Sequence, residues 1–88
     1  MRIHAVVYGR VQGVGYRWFV REAAESFGLS GWVRNQGDGT VAVEAEGSRE
    51  DLARFEELLK AGPGNPARVE RIEAVSTAPK GEEGFGIF

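Results

Sequence analysis

The stretch IHAVVYGRVQGVGYRWFVREAAESF, residues 3–27, places a strand and a helix on either side of a glycine-rich loop. Along residues 2–10, apolar residues occupy most positions on both alternating faces, which is typical of a strand in the middle of a sheet. From residue 17 to residue 27 the apolar positions take the spacing of one helix face, and Gly28 is well placed to end that helix. The stretch therefore predicts a strand and a helix joined by a loop with three glycines, Gly9, Gly13 and Gly15.

Two further strands and a second helix follow this unit. Residues 31–34 and 40–45 are predicted to pair as a hairpin, because the residues between them, 35–39, are dense in turn formers. Ser48 is predicted to cap a second helix. The apolar stripe of that helix is Leu52, Phe55, Leu58 and Leu59.

The last third of the chain predicts two more strands. Residues 67–77 read as a strand whose irregular period indicates a bulge or a late start, and residues 85–88 read as a short closing strand. The order β-α-β-β-α-β plus a terminal strand predicts a ferredoxin-like α+β sandwich, an antiparallel sheet with two helices packed on one face. Residues 1–88 are predicted to form a single domain.

The composition limits the functions open to this chain. Eleven basic and 13 acidic residues give a formal charge of −2, which does not favour a protein that neutralises many nucleic-acid phosphates. With no cysteine and one histidine, His4, the chain offers neither a thiolate metal site nor a multi-histidine one. No apolar run approaches the ~20 residues that span a bilayer. We expect no signal peptide, and a cytoplasmic location.

The glycine loop has two interpretations on residue types alone. Its glycines allow a conformation in which free N–H groups at a helix start form an anion cradle, to which Arg17 adds a planar cation. A cation at a helix N-terminus is slightly unfavourable unless an anion is bound there. The alternative is a tight strand-to-helix turn with Arg17 merely exposed, and both readings stay open at this level.

Two segments carry a resemblance to a known family. Residues 9–17, GRVQGVGYR, resemble the signature loop of the acylphosphatase family, G-x-V-Q-G-V-x-[aromatic]-R. Residues 31–47, GWVRNQGDGTVAVEAEG, are similar to the second signature of that family. The matching positions of this second segment are Gly31, Trp32, Val33, Asn35, Gly39, Val41 and Gly47.

The resemblance implies an enzyme that hydrolyses the carboxyl-phosphate bond of acyl phosphates to a carboxylate and inorganic phosphate. It implies that Arg17 and Asn35 are the catalytic residues, with the side-chain amide of Asn35 orienting the attacking water. The phosphoryl group is then bound by Arg17 and by the main-chain amides of five residues, Gln12, Gly13, Val14, Gly15 and Tyr16. Because the leaving carboxylate is a weak base and the transition state is loose, positioning and charge suffice, and we expect no metal or other cofactor.

Several assignments stay open. The nearest carboxylates, Asp38 and Glu44, are interpreted as a turn residue and a solvated strand residue, which leaves an oxygen of the substrate's own phosphate to accept the proton of the water. Tyr16 either lines the site or packs in the core, and Trp18 is a candidate to flank the acyl group. The expected partners are small-molecule acyl phosphates and inorganic phosphate, with no nucleic acid, no membrane and a monomeric chain.

The alternative function is a non-catalytic ferredoxin-like module that senses anions or binds nucleic acid. RNA readers of this architecture need exposed aromatic residues on two central strands and usually a basic surface. The negative net charge does not favour that alternative.

Overall fold

A computed structural model describes residues 1–88. It has five strands and two helices in the order β1 (Arg2–Arg10), α1 (Tyr16–Ser26), β2 (Ser30–Asn35), β3 (Val41–Glu46), α2 (Arg49–Ala61), β4 (Arg68–Thr77) and β5 (Phe85–Ile87). Neither helix is long and apolar enough to cross a membrane.

The strands form one sheet in the order β4-β1-β3-β2-β5, so β1 is a central strand, as its two largely apolar faces predict. The pairs β4–β1, β1–β3 and β3–β2 are antiparallel, but β5 runs parallel to β2, with Phe85 opposite Gly31. The ferredoxin-like fold is confirmed, and the expectation of a fully antiparallel sheet is wrong for the closing strand. Strand β4 runs opposite to β2. The chain reverses direction after β4 and crosses to the far edge of the sheet, so β5 runs in the same direction as β2.

The core lies between the helices and one face of the sheet. Alternate residues of β1 and β3 point into it, and the buried residues of α2 close it. From these elements the core contains Ile3, Ala5, Val7, Val41, Val43, Ala45, Leu52, Phe55 and Leu59. Leu58 was placed on the same stripe, but it lies at the margin and is 39% exposed.

Three local sequence signals are confirmed. Ser48 caps α2 by accepting a hydrogen bond from the N–H of Asp51 at 3.1 Å. Gly28 takes a left-handed φ of 67° just after α1. The irregular period of β4 is a bulge, since Tyr8 pairs with Arg71 and Gly9 with Val69, which leaves Glu70 without a partner in the register.

The other face of the sheet carries an ion-pair network that the sequence did not suggest. Arg2 is fully buried, with its Nε 2.8 Å from Glu44, its Nη1 3.2 Å from Glu46 and its Nη2 2.8 Å from Glu82. Glu44 also contacts the Nδ1 of His4 at 2.9 Å. The interpretation of Glu44 as a solvated residue is therefore wrong, because its side chain is only 12% exposed.

Candidate active site

The loop between β1 and α1 presents unpaired main-chain N–H groups. Gly13 and Gly15 have φ values of 71° and 79°, in the left-handed region that favours glycine. Val11 before the loop and Tyr16 after it are buried and anchor its two ends. None of the N–H groups of residues 12–16 donates a hydrogen bond within the chain. Free amides at the start of a helix are a ready anion site, and the helix dipole adds to it.

The side chain of Gln12 ties this loop to the β2–β3 hairpin. Its Nε2 donates to the carbonyl of Gln36 at 2.7 Å and to the carbonyl of Thr40 at 2.9 Å. Both donors of the side-chain amide are therefore occupied within the chain. Gln12 was predicted as a substrate-binding residue, and its main-chain N–H is the donor that remains for that role.

The hairpin is held in turn by Asp38. The carboxylate of Asp38 accepts hydrogen bonds from the Oγ1 of Thr40 at 2.6 Å and from its N–H at 3.1 Å. These bonds hold the pKa of Asp38 below its ordinary value. The interpretation of Asp38 as a turn residue is confirmed.

Arg17 is positioned by the end of β5. One Nη donates to the main-chain oxygen of Phe88, and the N–H of Phe88 donates to the carbonyl of Val33 at 2.9 Å. No carboxylate side chain lies within 4.0 Å of the guanidinium of Arg17. Most of the five N–H donors of the guanidinium thus remain for an anion.

Asn35 is the last residue of β2, next to the hairpin that Gln12 contacts. It lies two residues after the buried Val33 and therefore on the same, helix-covered face of the sheet. Its side-chain oxygen Oδ1 is buried and has no hydrogen-bond partner. An unpaired buried acceptor costs free energy that a water molecule donating to it would recover.

The loop, Arg17 and Asn35 meet at the same end of the sheet. Gln12 reaches the residue directly after Asn35, and Arg17 reaches Phe88, which pairs with β2 two residues before Asn35. The residues predicted from the two sequence motifs thus lie at one end of the sheet. The motifs did not indicate the contacts that hold these residues in position, because Arg17 and Phe88 are 71 positions apart and Gln12 and Thr40 are 28 apart.

The structure separates the two aromatic side chains whose roles were open. Tyr16 is fully buried, and its hydroxyl donates to the carbonyl of Leu59 in the last turn of α2 at 2.9 Å. Burial raises the pKa of Tyr16. The side chain therefore belongs to the core, and only the main-chain N–H of Tyr16 is free for the predicted anion contact.

Trp18 projects from α1 on the side away from the core. It is 61% exposed, and the guanidinium of Arg21 lies 5.5 Å from the centroid of its ring. Two positions after Tyr16 on a helix corresponds to a rotation of roughly 200°, so the two side chains point in opposite directions. The role of Trp18 beside the acyl group stays a prediction.

Comparison with known proteins identifies the class of this chain. A family model described as Acylphosphatase matches residues 3–87. The chain is 51% identical over 75 residues to an acylphosphatase of Koribacter versatilis, covering 85% of this chain and 67% of that relative. It is 47% identical over 87 residues to an acylphosphatase of Thermus thermophilus, covering 99% and 98%. The crystal structure of acylphosphatase from Bacillus subtilis matches the fold with a TM-score of 0.94 at 39% identity, covering 99% of this chain and 97% of that one.

The chain belongs to the acylphosphatase family. It is a hydrolase that acts on acyl phosphates, so the resemblance of the two signature segments and the activity expected from them are confirmed. The non-catalytic alternative is not favoured.

Proposed function

We propose that residues 12–17 and Asn35 carry out the hydrolysis of acyl phosphates at this site. The phosphoryl group binds to the N–H groups of residues 12–16 and to the guanidinium of Arg17. The observation that supports this most strongly is the set of unpaired N–H groups in the loop that directly precedes Arg17, whose guanidinium contacts no carboxylate side chain. Donors held in place before the substrate arrives stabilise charge in the transition state without reorganisation.

Asn35 orients the attacking water. Its Oδ1 accepts a hydrogen bond from the water, which leaves a lone pair of the water oxygen directed at phosphorus. The P–O bond to the acyl group breaks as the new P–O bond forms, and the bonding electron pair leaves on the carboxylate. The carboxylate needs no proton at neutral pH, because the pKa of a carboxylic acid is near ~4.

The proton of the water goes to an oxygen of the bound phosphoryl group. Asp38 is committed to Thr40, and Glu44 contacts Arg2 and His4 from the opposite face of the sheet. Neither carboxylate is placed to serve Asn35. A pH profile of kcat with an ionisation that disappears in Glu44→Gln would contradict this assignment.

Turnover of benzoyl phosphate in H₂¹⁸O tests the bond that breaks. Attack at phosphorus puts the label in inorganic phosphate and none in benzoate, whereas attack at the acyl carbon puts it in benzoate. Turnover should persist in EDTA, since no step uses a metal. Label found in benzoate would overturn the proposal.

Two substitutions test the two roles separately. Arg17→Gln should lower kcat by roughly 10³–10⁵, or about 4–7 kcal/mol of barrier, and should weaken inhibition by inorganic phosphate. Asn35→Ala should abolish turnover while phosphate still binds. Arg21→Gln is the matched control, because Arg21 lies one turn further along α1 and its Nε is 3.6 Å from Glu25. A loss of kcat in Arg21→Gln equal to that in Arg17→Gln would show that general positive charge on α1, not a specific contact, matters.

The remaining expectations for this chain stay predictions. We expect one domain, residues 1–88, that works as a monomer in the cytoplasm and binds no nucleic acid. Light scattering of the purified chain measures its mass directly, and a dimer at micromolar concentration would contradict the first expectation.

A further inference from the structure

Two arginines lie side by side at the end of the sheet that carries the glycine loop. Arg10 is the last residue of β1 and Arg68 is the first residue of β4, and the two are direct partners in the register. Both are exposed, and no carboxylate side chain lies within 4.0 Å of either guanidinium. Like charges directly opposite each other on antiparallel strands are destabilising. The pair therefore costs stability that no neighbouring carboxylate offsets.

The bulge in β4 creates this pairing. If the register of the longer part of the β1–β4 pair continued to the end of β1, Arg10 would lie opposite Val69. The extra residue, Glu70, shifts the register by one and brings Arg68 to that place. The two backbones are held close together here, because a Cβ on Gly9 would overlap the carbonyl oxygen of Arg68. Bulges are frequent next to active sites, where they redirect a side chain.

The pair lies close to the loop but not in contact with the reacting groups. Arg10 is two residues before Gln12, so their Cα atoms are at most about 7 Å apart. Arg10 is three residues after the buried Val7 and therefore points to the open face of the sheet, whereas Asn35 lies on the helix-covered face. An effect of the pair on the bound phosphoryl group acts through charge, which reaches beyond 10 Å at low salt.

Other arginines that lack a carboxylate partner lie at the same end of the molecule. Five arginines have no carboxylate side chain within 4.0 Å. The four at the end of the sheet that carries the loop are Arg10, Arg17, Arg34 and Arg68. The fifth, Arg49, begins α2 at the opposite end. Although the net charge is −2, positive charge without a carboxylate partner thus collects around the loop, and such a local field raises the concentration of anions.

We propose that Arg10 and Arg68 form an outer anion site, which attracts the phosphate group of an acyl phosphate before the loop binds it. The inference rests on the proposed function, since it takes residues 12–17 as the final binding place. The ligand is a phosphate dianion, carried by the substrate or free as inorganic phosphate. The outer site changes the affinity for both and leaves the chemical step alone, so neither arginine is a catalytic residue.

The kinetic test removes both charges in Arg10→Gln/Arg68→Gln. A unit charge ~12 Å from a phosphate dianion in water changes its affinity about twofold at ~0.01 M ionic strength. At this ionic strength, KM for benzoyl phosphate and the inhibition constant of inorganic phosphate should each rise about fourfold, with kcat unchanged. Arg10→Glu/Arg68→Glu doubles the change in charge and should raise both constants about 15-fold. The rises should vanish at about 0.5 M salt.

Arg49→Gln/Arg54→Gln is the matched control. It removes the same two charges from α2, whose first residue lies at the end of the molecule opposite to the loop. KM and the phosphate inhibition constant should change less than twofold in this variant. An equal rise in the control, unchanged constants in Arg10→Gln/Arg68→Gln, or a rise that persists at about 0.5 M salt would overturn the proposal.

Unfolding in urea gives a second readout, which separates an anion site from a structural contact. Arg68→Gln removes a like-charge repulsion, so the urea midpoint should stay the same or rise while KM rises. A pair that served the fold would behave in the opposite way. A lower urea midpoint with an unchanged KM would show that the two arginines stabilise the end of the sheet and attract no anion.

Failure of this inference is distinguishable from failure of the proposed mechanism. If the mechanism is right and the outer site is wrong, Arg17→Gln loses kcat while Arg10→Gln/Arg68→Gln keeps both KM and the phosphate inhibition constant. If the mechanism is wrong, Arg17→Gln keeps kcat. The outer site then falls with it, because nothing would place the phosphate group at the loop.

Discussion

Replacing Gly15 with alanine tests whether the conformation of the loop creates the anion site. Gly15 has a φ of 79° and a ψ of 11°, and a Cβ added there would have no atom within 4 Å. The cost of the substitution is therefore conformational and not steric. A left-handed conformation costs an L-residue roughly 1–2 kcal/mol, and the reduced freedom of the unfolded chain returns about 0.4–1 kcal/mol. If the loop keeps this conformation without a ligand, Gly15→Ala should lower the free energy of unfolding by about 1 kcal/mol, and this is the upper limit of the loss.

The same strain should appear in anion binding. Without a ligand, the loop of the variant can relieve its strain by rotating residue 15 out of the left-handed region, which turns the neighbouring N–H groups away. Binding then has to restore the strained conformation. The strain that the free loop relieves reappears as a loss of binding free energy, and it cannot exceed the roughly 1–2 kcal/mol of the left-handed conformation. The affinity for inorganic phosphate should therefore fall by up to about tenfold, which corresponds to ~1.4 kcal/mol, and the loss of unfolding free energy should be smaller by the same amount.

Gly28→Ala is the matched control for this experiment. Gly28 has a φ of 67° and equally open surroundings, but it lies at the other end of α1. Urea unfolding should show a loss of stability of no more than about 1 kcal/mol in either variant. Competitive inhibition by phosphate should weaken only in Gly15→Ala. Equal phosphate inhibition constants for Gly15→Ala and the unsubstituted chain would refute the claim that this conformation aims the N–H groups.

Three further predictions concern the buried polar groups. Arg2→Met should lower the free energy of unfolding by about 3 kcal/mol in urea, because breaking a buried ion pair leaves uncompensated charge, and a loss below ~1 kcal/mol would contradict this. Burial favours a higher pKa for Glu44, but hydrogen bonds from His4 and Arg2 outweigh it and hold the pKa below its ordinary value. The stabilisation that results is therefore complete above the pKa of Glu44 in the unfolded chain, about 4.3, and is lost as the pH falls through the lower pKa of the folded state. In Glu44→Gln, the free energy of unfolding measured in urea should consequently decrease less steeply with falling pH below about 4.3. Tyr16→Phe should cost about 1–2 kcal/mol in the same assay, since it leaves the buried carbonyl of Leu59 unpaired, and unchanged stability would show that this bond contributes nothing.

Most of the fold follows from local patterns in the sequence. The periods of the apolar residues predict both helices and all the strands, because each pattern matches the face that packs on the core. The direction of β5 was not predictable in this way. A three-residue strand has no pattern that tells parallel from antiparallel pairing, and its direction depends on the path of residues 78–84 around the sheet.

The burial of Arg2 could not be predicted from the sequence, for a different reason. Its three carboxylate partners, Glu44, Glu46 and Glu82, come from β3 and from the loop before β5. The two on β3 share a face because they are two residues apart, but nothing local connects them with residue 2. An arginine near the start of a chain reads as exposed until its partners are in place.

The site shows the same division between local and distant signals. The motif supplies the residues that we propose to face the substrate, while the side chain of Gln12 fixes the loop relative to the hairpin. Both of its donors contact the hairpin that follows Asn35, so we expect the side chain to position the proposed water-orienting amide and not to bind the phosphate. Misplacement of a reacting group by ~1 Å can cost about 10² in rate. Gln12→Ala should therefore lower kcat by roughly 10–100-fold while the phosphate inhibition constant changes little, because the main-chain N–H of residue 12 remains. If phosphate inhibition weakens as much as kcat falls, the side chain shapes the cradle itself, and the hairpin is held by its own hydrogen bonds.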